Sequence, residues 1–180
     1  PEQGINAIFP MEFALAELSK INEELLHAEP HPHLGHATLH PGMISGGTAQ
    51  SVIAAEATIK WERRTLPGET DKELDEELQR VVSAVLKAPG DHKVTGHQIY
   101  SRPPNEAKND PMIELLRESS GNKDYNGMSY WADSALAAKA GIPSILFGPA
   151  GHGAHAIDEW VSKESLLNCY EALKKFILEL

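Results

Sequence analysis

The run Ala57-Thr58-Ile59-Lys60-Trp61-Glu62-Arg63-Arg64 does most to limit what this chain can fold into. Ala57, Ile59 and Trp61 alternate with Thr58, Lys60, Glu62 and Arg64, and a strand sends two such sets to opposite faces. One face then needs an apolar cover, and Arg64 belongs to the other, polar face. The cover lies on both sides in the sequence. Behind Met11, the residues Leu15, Leu18, Ile21 and Leu25 recur at steps of three and four, the period of an amphipathic helix. After the strand, Leu66-Pro67-Gly68 forms a stop, and Thr70-Asp71-Lys72-Glu73 reads as a capping box. Leu74, Leu78, Val81, Val82, Val85 and Leu86 then continue one helix face. His36 to His40 alternates as a further strand with turns at Pro41-Gly42 and Gly46-Gly47, and His92 to Tyr100 reads as another. The expected order is helix, strand, strand, helix, strand.

Arg102-Pro103-Pro104 and the polar stretch to Asp110 suggest a boundary, dividing the 180 residues into 1–101 and 102–180. Beyond it the pattern predicts a helix from Met112 to Arg117, another from about Trp131 to Ala140, and a short buried strand from Ile142 to Phe147. A Gly/His loop over 148–155 follows. A closing helix carries Leu166, Tyr170, Leu173, Ile177 and Leu180 on one face, and α/β layering is expected.

A formal net charge of −10 argues against a nucleic-acid backbone or an anionic membrane as partner. No apolar run approaches the ~20 residues that span a bilayer. Cys169 is the only cysteine, so neither an internal disulfide nor a thiolate zinc cluster can form, which fits a reducing, cytoplasmic setting.

Two segments invite a metal. His27, His31, His33, His36 and His40 cluster in a proline-broken connector, but no acid or thiol sits at a recognised ligand spacing, so a solvated face is expected. Gly148-Pro149-Ala150-Gly151-His152-Gly153-Ala154-His155 follows the expected buried strand, where ligands commonly bind. Either of its histidines could bind metal, and a Gly-rich turn with surface histidines is the alternative. A Ser129/Asp133/His155 triad is disfavoured, because Gly127-Met128-Ser129-Tyr130-Trp131 lacks the nucleophile elbow.

Taken in order, several segments resemble the zinc-dependent aminoacylase, carboxypeptidase G and acetylornithine deacetylase–succinyl-diaminopimelate desuccinylase family (metallopeptidase family twenty). Residues 1–8 resemble the start of that family's lid helix. Gly46-Gly47-Thr48-Ala49, Ala57 to Trp61 and Arg64-Thr65-Leu66-Pro67-Gly68 resemble the lid's central strands. Ser129 to Asp133, Gly141-Ile142-Pro143, Phe147-Gly148-Pro149 and Ala154 to Val161 are similar to the returning half of its catalytic domain. The resemblance implies an incomplete β-α-β-β-α-β dimerisation lid without its first strand, followed by the C-terminal half of a zinc-exopeptidase-like α/β domain.

Roles follow from the resemblance residue by residue. His155 matches a zinc ligand, and Glu159 the carboxylate that accepts its other ring N–H. Arg64 matches the lid arginine that grips the substrate carboxylate, and Arg102 a second basic residue near the substrate. Gly127 and Ser129 match the loop lining the pocket, and Asp133 a helix-capping or supporting acid. Ser51 stands thirteen places before Arg64, where the family usually has asparagine, so the grip on substrate is expected to differ.

The reaction implied is hydrolysis of an N-acyl amino acid or short peptide by water shared between two zinc ions, with cobalt or manganese as alternatives. A glutamate relays the proton. The resemblance puts that glutamate and the other metal ligands upstream of Pro1. These 180 residues are therefore expected to be inactive alone, to need a missing N-terminal half, and to form a homodimer through the lid. The competing readings are an assembly module and a noncatalytic family member.

Overall fold

The computed structural model describes residues 4–180. The chain divides into two compact units, one ending at Pro103 and one running from Pro104 to Leu180.

The first unit contains α1 (Met11–His27), β1 (Thr38–Gly46), β2 (Ala57–Arg64) and α2 (Asp71–Val85). β1 and β2 form a two-stranded antiparallel sheet, with Thr38 opposite Arg64 and Gly46 opposite Ala57. Both helices contribute to one core, in which Ala14, Leu18 and Ile21 of α1 meet Leu39 of β1 and Val81 and Val85 of α2. Ile59 and Trp61 pack against that cluster, so the alternation of β2 turns its apolar face to the helices as the sequence requires. The capping box also forms: Thr70 accepts from the Glu73 backbone N–H at 3.4 Å, and Glu73 accepts from the Thr70 N–H at 2.7 Å.

Arg80 ties the two helices together from outside the core. Its guanidinium reaches Glu17 at 2.9 Å and Glu24 at 2.7 Å, both on α1. Asn22 of α1 accepts the Leu39 N–H at 2.9 Å, which fixes the start of β1 against the helix.

Three expectations fail in this unit. The strand does not turn at Pro41-Gly42 but runs on to Gly46, because a bulge absorbs Gly42: Pro41 faces Trp61 while Met43 faces Lys60. Proline is admitted on an edge strand or at a bulge, and β1 supplies both conditions. Residues 92–100 form no strand. They lie against α2 without regular structure, with Gly96 so close to Leu78 and Val82 that a Cβ there would meet their methyl groups at 2.8 and 2.9 Å. A segment becomes a strand only when another edge takes its hydrogen bonds, and among the described residues no strand pairs with this one. Of the stretch likened to a helix start, Pro1 to Gln3 lie outside the described residues. Residues 4–8 are irregular, tied to the hairpin loop by the Ala7 N–H donating to Ala54 at 2.9 Å.

The second unit holds α3 (Pro111–Ser120), α4 (Ser134–Lys139), a minimal hairpin of β3 (Gly151–His152) and β4 (Trp160–Val161), and α5 (Lys163–Glu179). Asp110 caps α3 by accepting the Met112 N–H at 2.9 Å, with Pro111 in the first turn, where its missing N–H costs nothing. α4 ends in a Schellman motif: Gly141, at φ +85°, donates to Ala138 at 3.0 Å, and Ile142 donates to Ala137 at 3.0 Å. The expected buried strand at 142–147 is absent, and Ile142 and Leu146 are 59 % and 46 % exposed. A buried strand needs strands on its flanks, and the described residues of this unit offer only the two-residue ladder of β3 and β4. The apolar face of α5 is likewise exposed, including Tyr170, Leu173 and Ile177.

Candidate substrate-binding and metal-ligand residues

Arg64 occupies the last position of β2, and its alternation places it on the solvent face. Its side chain is 55 % exposed and paired with Glu62 two residues earlier on the same face. Arg63, one residue before, points the other way and is 9 % exposed. A cation on the covered face has to be neutralised there. Glu77 of α2 accepts from Arg63 Nε at 2.9 Å, and Glu69 of the intervening turn pairs with Nη2. Arg63 Nη1 also donates to the carbonyl of Arg64 at 2.7 Å. Burial alone would lower the Arg63 pKa; the hydrogen bonds it donates to Glu77 and Glu69 outweigh it and raise the pKa above the usual arginine value. Sequence reading missed this ion cluster. The signal was there, since a period of two forces one of two adjacent arginines inward.

Ser51 lies in the exposed loop that joins β1 to β2. β2 separates that loop from Arg64 by its whole length, about 23 Å at the usual rise per residue. Within one copy the two residues therefore sit at opposite ends of the hairpin. Arg102 follows the irregular segment packed on α2, with its guanidinium 4.9 Å above the Tyr100 ring, a cation–π distance.

The remaining candidates belong to the second unit. Gly127 is half-buried and Ser129 exposed, both in the irregular segment before α4. Asp133 precedes α4 with helical dihedrals, φ −60° and ψ −19°, and its side chain makes no cap hydrogen bond. Side-chain capping normally requires an extended Asp, so the expected capping role is not met; only its carbonyl receives, from the Leu136 N–H at 2.9 Å.

His155 is held in a tight turn between β3 and β4. The Ala156 N–H donates to Gly153 at 2.7 Å, and His155 takes φ +68°, the only positive φ of a non-glycine residue among those described. That conformation costs a side-chain-bearing residue roughly 1–2 kcal/mol. Strain of this kind collects where a side chain must be presented in one direction. The hairpin below it is equally specific: a Cβ on Gly151 would meet the Trp160 carbonyl at 2.2 Å, and the His152 ring lies 6.4 Å from the Trp160 ring. His155 and Glu159 are both exposed.

Among the described residues, no group of three or more His, Cys, Asp or Glu side chains could hold a metal ion. The donor set therefore does not fit a zinc centre by itself, since one imidazole leaves most of a tetrahedral shell unfilled. The connector histidines pair locally instead. His31 and His33 rings are 6.0 Å apart, and the His33 N–H donates to His31 Nδ1 at 3.2 Å. No described helix is long and apolar enough to cross a membrane.

Comparison with known proteins fits this geometry. Residues 1–89 match the family model described as peptidase dimerisation domain. Acetylornithine deacetylase of Buchnera aphidicola is 26% identical over 180 residues, covering 98% of this chain and 47% of that protein. The enzyme of the same name from Proteus mirabilis is 27% identical over 166 residues, covering 89% and 42%. Among solved structures, aminopeptidase PepT of Bacillus cereus superposes with a TM-score of 0.68 at 19% identity, covering 99% of this chain and 46% of that one. A tripeptidase of Staphylococcus aureus gives 0.67 at 20%, covering 98% and 46%. The chain thus spans about half the length of the relatives it matches, which are hydrolases by name. Its residues 1–89 match the peptidase dimerisation domain of metallopeptidase family twenty.

Proposed function

We propose that this chain is part of a two-zinc amidohydrolase that cleaves an N-acyl amino acid or short peptide bearing a free carboxylate. The observation that carries the reading is Arg64: a guanidinium displayed to solvent at the end of a strand, in a dimerisation domain, beside a second arginine turned inward. A planar, permanent cation suits bidentate capture of a carboxylate, and its Glu62 partner is exposed enough to be exchanged for substrate. Arg102 adds positive charge in the same unit. In a homodimer formed through this domain, the Ser51 loop is available to a partner's site rather than to its own Arg64.

In this reading the unit from Pro104 onward is the C-terminal half of the catalytic domain, and the unit before it is the lid. His155 supplies one ligand to a zinc, cobalt or manganese site, with Glu159 as the carboxylate partner of its ring. Gly127 and Ser129 line the substrate pocket, and Asp133 supports them. The other ligands and the general base come from chain beyond these residues. The protein works in the cytoplasm, where Cys169 stays reduced.

The test is a metal titration and hydrolysis assay on the full-length protein with N-acetyl amino acids. Two metal equivalents are expected per chain. His155→Ala is expected to lower that number and abolish turnover, while Arg64→Ala raises KM by roughly ten- to a hundredfold, the worth of a charged hydrogen bond. Full activity and full metal content in His155→Ala would refute the reading. The 180 residues alone are expected to show no turnover with added Zn²⁺.

A further inference from the structure

We infer that Arg63, Glu69 and Glu77 are positioning residues for substrate capture: a closed ion cluster that fixes the backbone on which Arg64 is presented. This rests on the reading of Arg64 as the carboxylate-binding group.

The strand period sends neighbouring side chains to opposite faces. Arg63 and Arg64 are adjacent, so one guanidinium enters the space between β2 and α2 while the other leaves toward water. The inward one touches three chain segments. Nε and Nη2 bond Glu77 of α2 at 2.9 and 3.1 Å, and Nη2 pairs with Glu69 of the turn. Nη1 donates to the carbonyl of Arg64 itself at 2.7 Å. Glu69 closes the loop by accepting the Leu66 backbone N–H, while its own N–H donates to the Leu66 carbonyl at 3.2 Å.

The peptide unit after Arg64 is therefore held on its carbonyl side by Arg63, and the next turn is held by Glu69. All three side chains are largely covered, at 9 %, 23 % and 19 % exposure. In contrast, the Arg64–Glu62 pair is half in water and cannot by itself set where the Arg64 backbone lies. The direction of the capturing arginine is thus decided one residue away. The substrate class is unchanged, a carboxylate-bearing amide, and the cluster acts on how well its carboxylate is met.

The experiment uses the full-length enzyme and two substrates, an N-acetyl amino acid and its carboxamide counterpart, with KM and kcat measured for each. Glu69→Ala and Glu77→Gln are compared with Arg64→Ala, and thermal melts record folding. Arg64→Ala should erase the preference for the acid. Glu69→Ala should raise KM for the acid on the order of tenfold, with kcat and the carboxamide KM little changed. Glu77→Gln, which keeps the shape of the cluster, should do the same more weakly.

A purely structural cluster would lower the melting temperature and leave the acid-to-carboxamide ratio alone. That ratio unchanged in both glutamate variants, with Arg64→Ala erasing it, overturns the positioning role and leaves Arg64 as the binding group. The ratio unchanged in Arg64→Ala overturns the underlying reading, and this inference with it. Should Glu69→Ala fail to fold, Glu77→Gln decides the matter on the same ratio.

Discussion

The two units are built from similar parts and finish them differently. Up to Pro103, two helices cover one face of a hairpin, and Leu18 and Ile21 of α1 are essentially inaccessible, at 0 % and 1 % exposure. From Pro104, α3 and α5 carry side-chain N-caps as α2 does, yet Ile113, Ala135 and Ala172 are the buried apolar residues, and two of these three are alanines. Local signals therefore work equally well in both units, whereas burial does not. A helix face lowers free energy only when something apolar covers it. The first unit provides that cover internally, and α5 of the second leaves Leu173 and Ile177 open.

The sharpest way to break this contrast is to cut equal leucines from the two units. Leu18→Ala should destabilise the first unit by about 2–5 kcal/mol, the transfer loss plus a residual cavity. Leu173→Ala, at a position already 40 % exposed, should change the second by no more than about 0.5 kcal/mol in this chain. Urea unfolding followed by hydrogen exchange resolves the units separately. Equal losses would mean that α5 is covered after all.

A smaller effect sharpens the same comparison. Thr70→Ala and Asp110→Ala each remove an N-cap and should each cost about 1 kcal/mol in their own unit. Parity here alongside disparity at the leucines would show that capping is a local quantity and core burial is not.

The smallest effect is the acid response, and it should be shared. Glu24 is held below the ordinary carboxyl value of 4.5 by its hydrogen bond to Arg80, and Glu73 by the Thr70 backbone N–H. Glu114 in the second unit is lowered by the Tyr125 hydroxyl and then by Arg117. A carboxyl with a depressed folded pKa binds fewer protons than its unfolded counterpart between the two pKa values. Its stabilisation is complete above the unfolded pKa and is lost as pH falls through the folded one. Urea midpoints of both units should hold steady from neutral pH to about 5 and drop below about 4. A drop confined to the first unit would mean that Glu24 and Glu73 carry the effect without Glu114.

Much of the first unit was readable without coordinates because its signals are local. The spacing of Leu18 and Ile21, the Thr70–Glu73 box and the β2 alternation each act within a few residues, and all of them appear in the structure. The strands expected at 92–100 and 142–147 were apolar and extended enough to suggest ladders, but a ladder belongs to two segments. The bulge at Gly42 was likewise hidden, because it reconciles β1 with the register of β2 and has no signature in β1 alone.

The candidate site divides along the same line. Sequence alone determined which residue types stand where: the Arg63-Arg64 pair, Ser51 in place of an amide, and the glycines around His155. It also determined that one of two adjacent arginines must face inward, since strand alternation is a property of the covalent chain. Tertiary structure decided what meets the buried guanidinium, because Glu77 arrives from a helix and Glu69 from a turn. It also decided that His155 adopts a left-handed backbone, which the closure of β3 onto β4 imposes. Contacts between segments distant along the chain exist only once the chain has folded, so no local pattern can announce them.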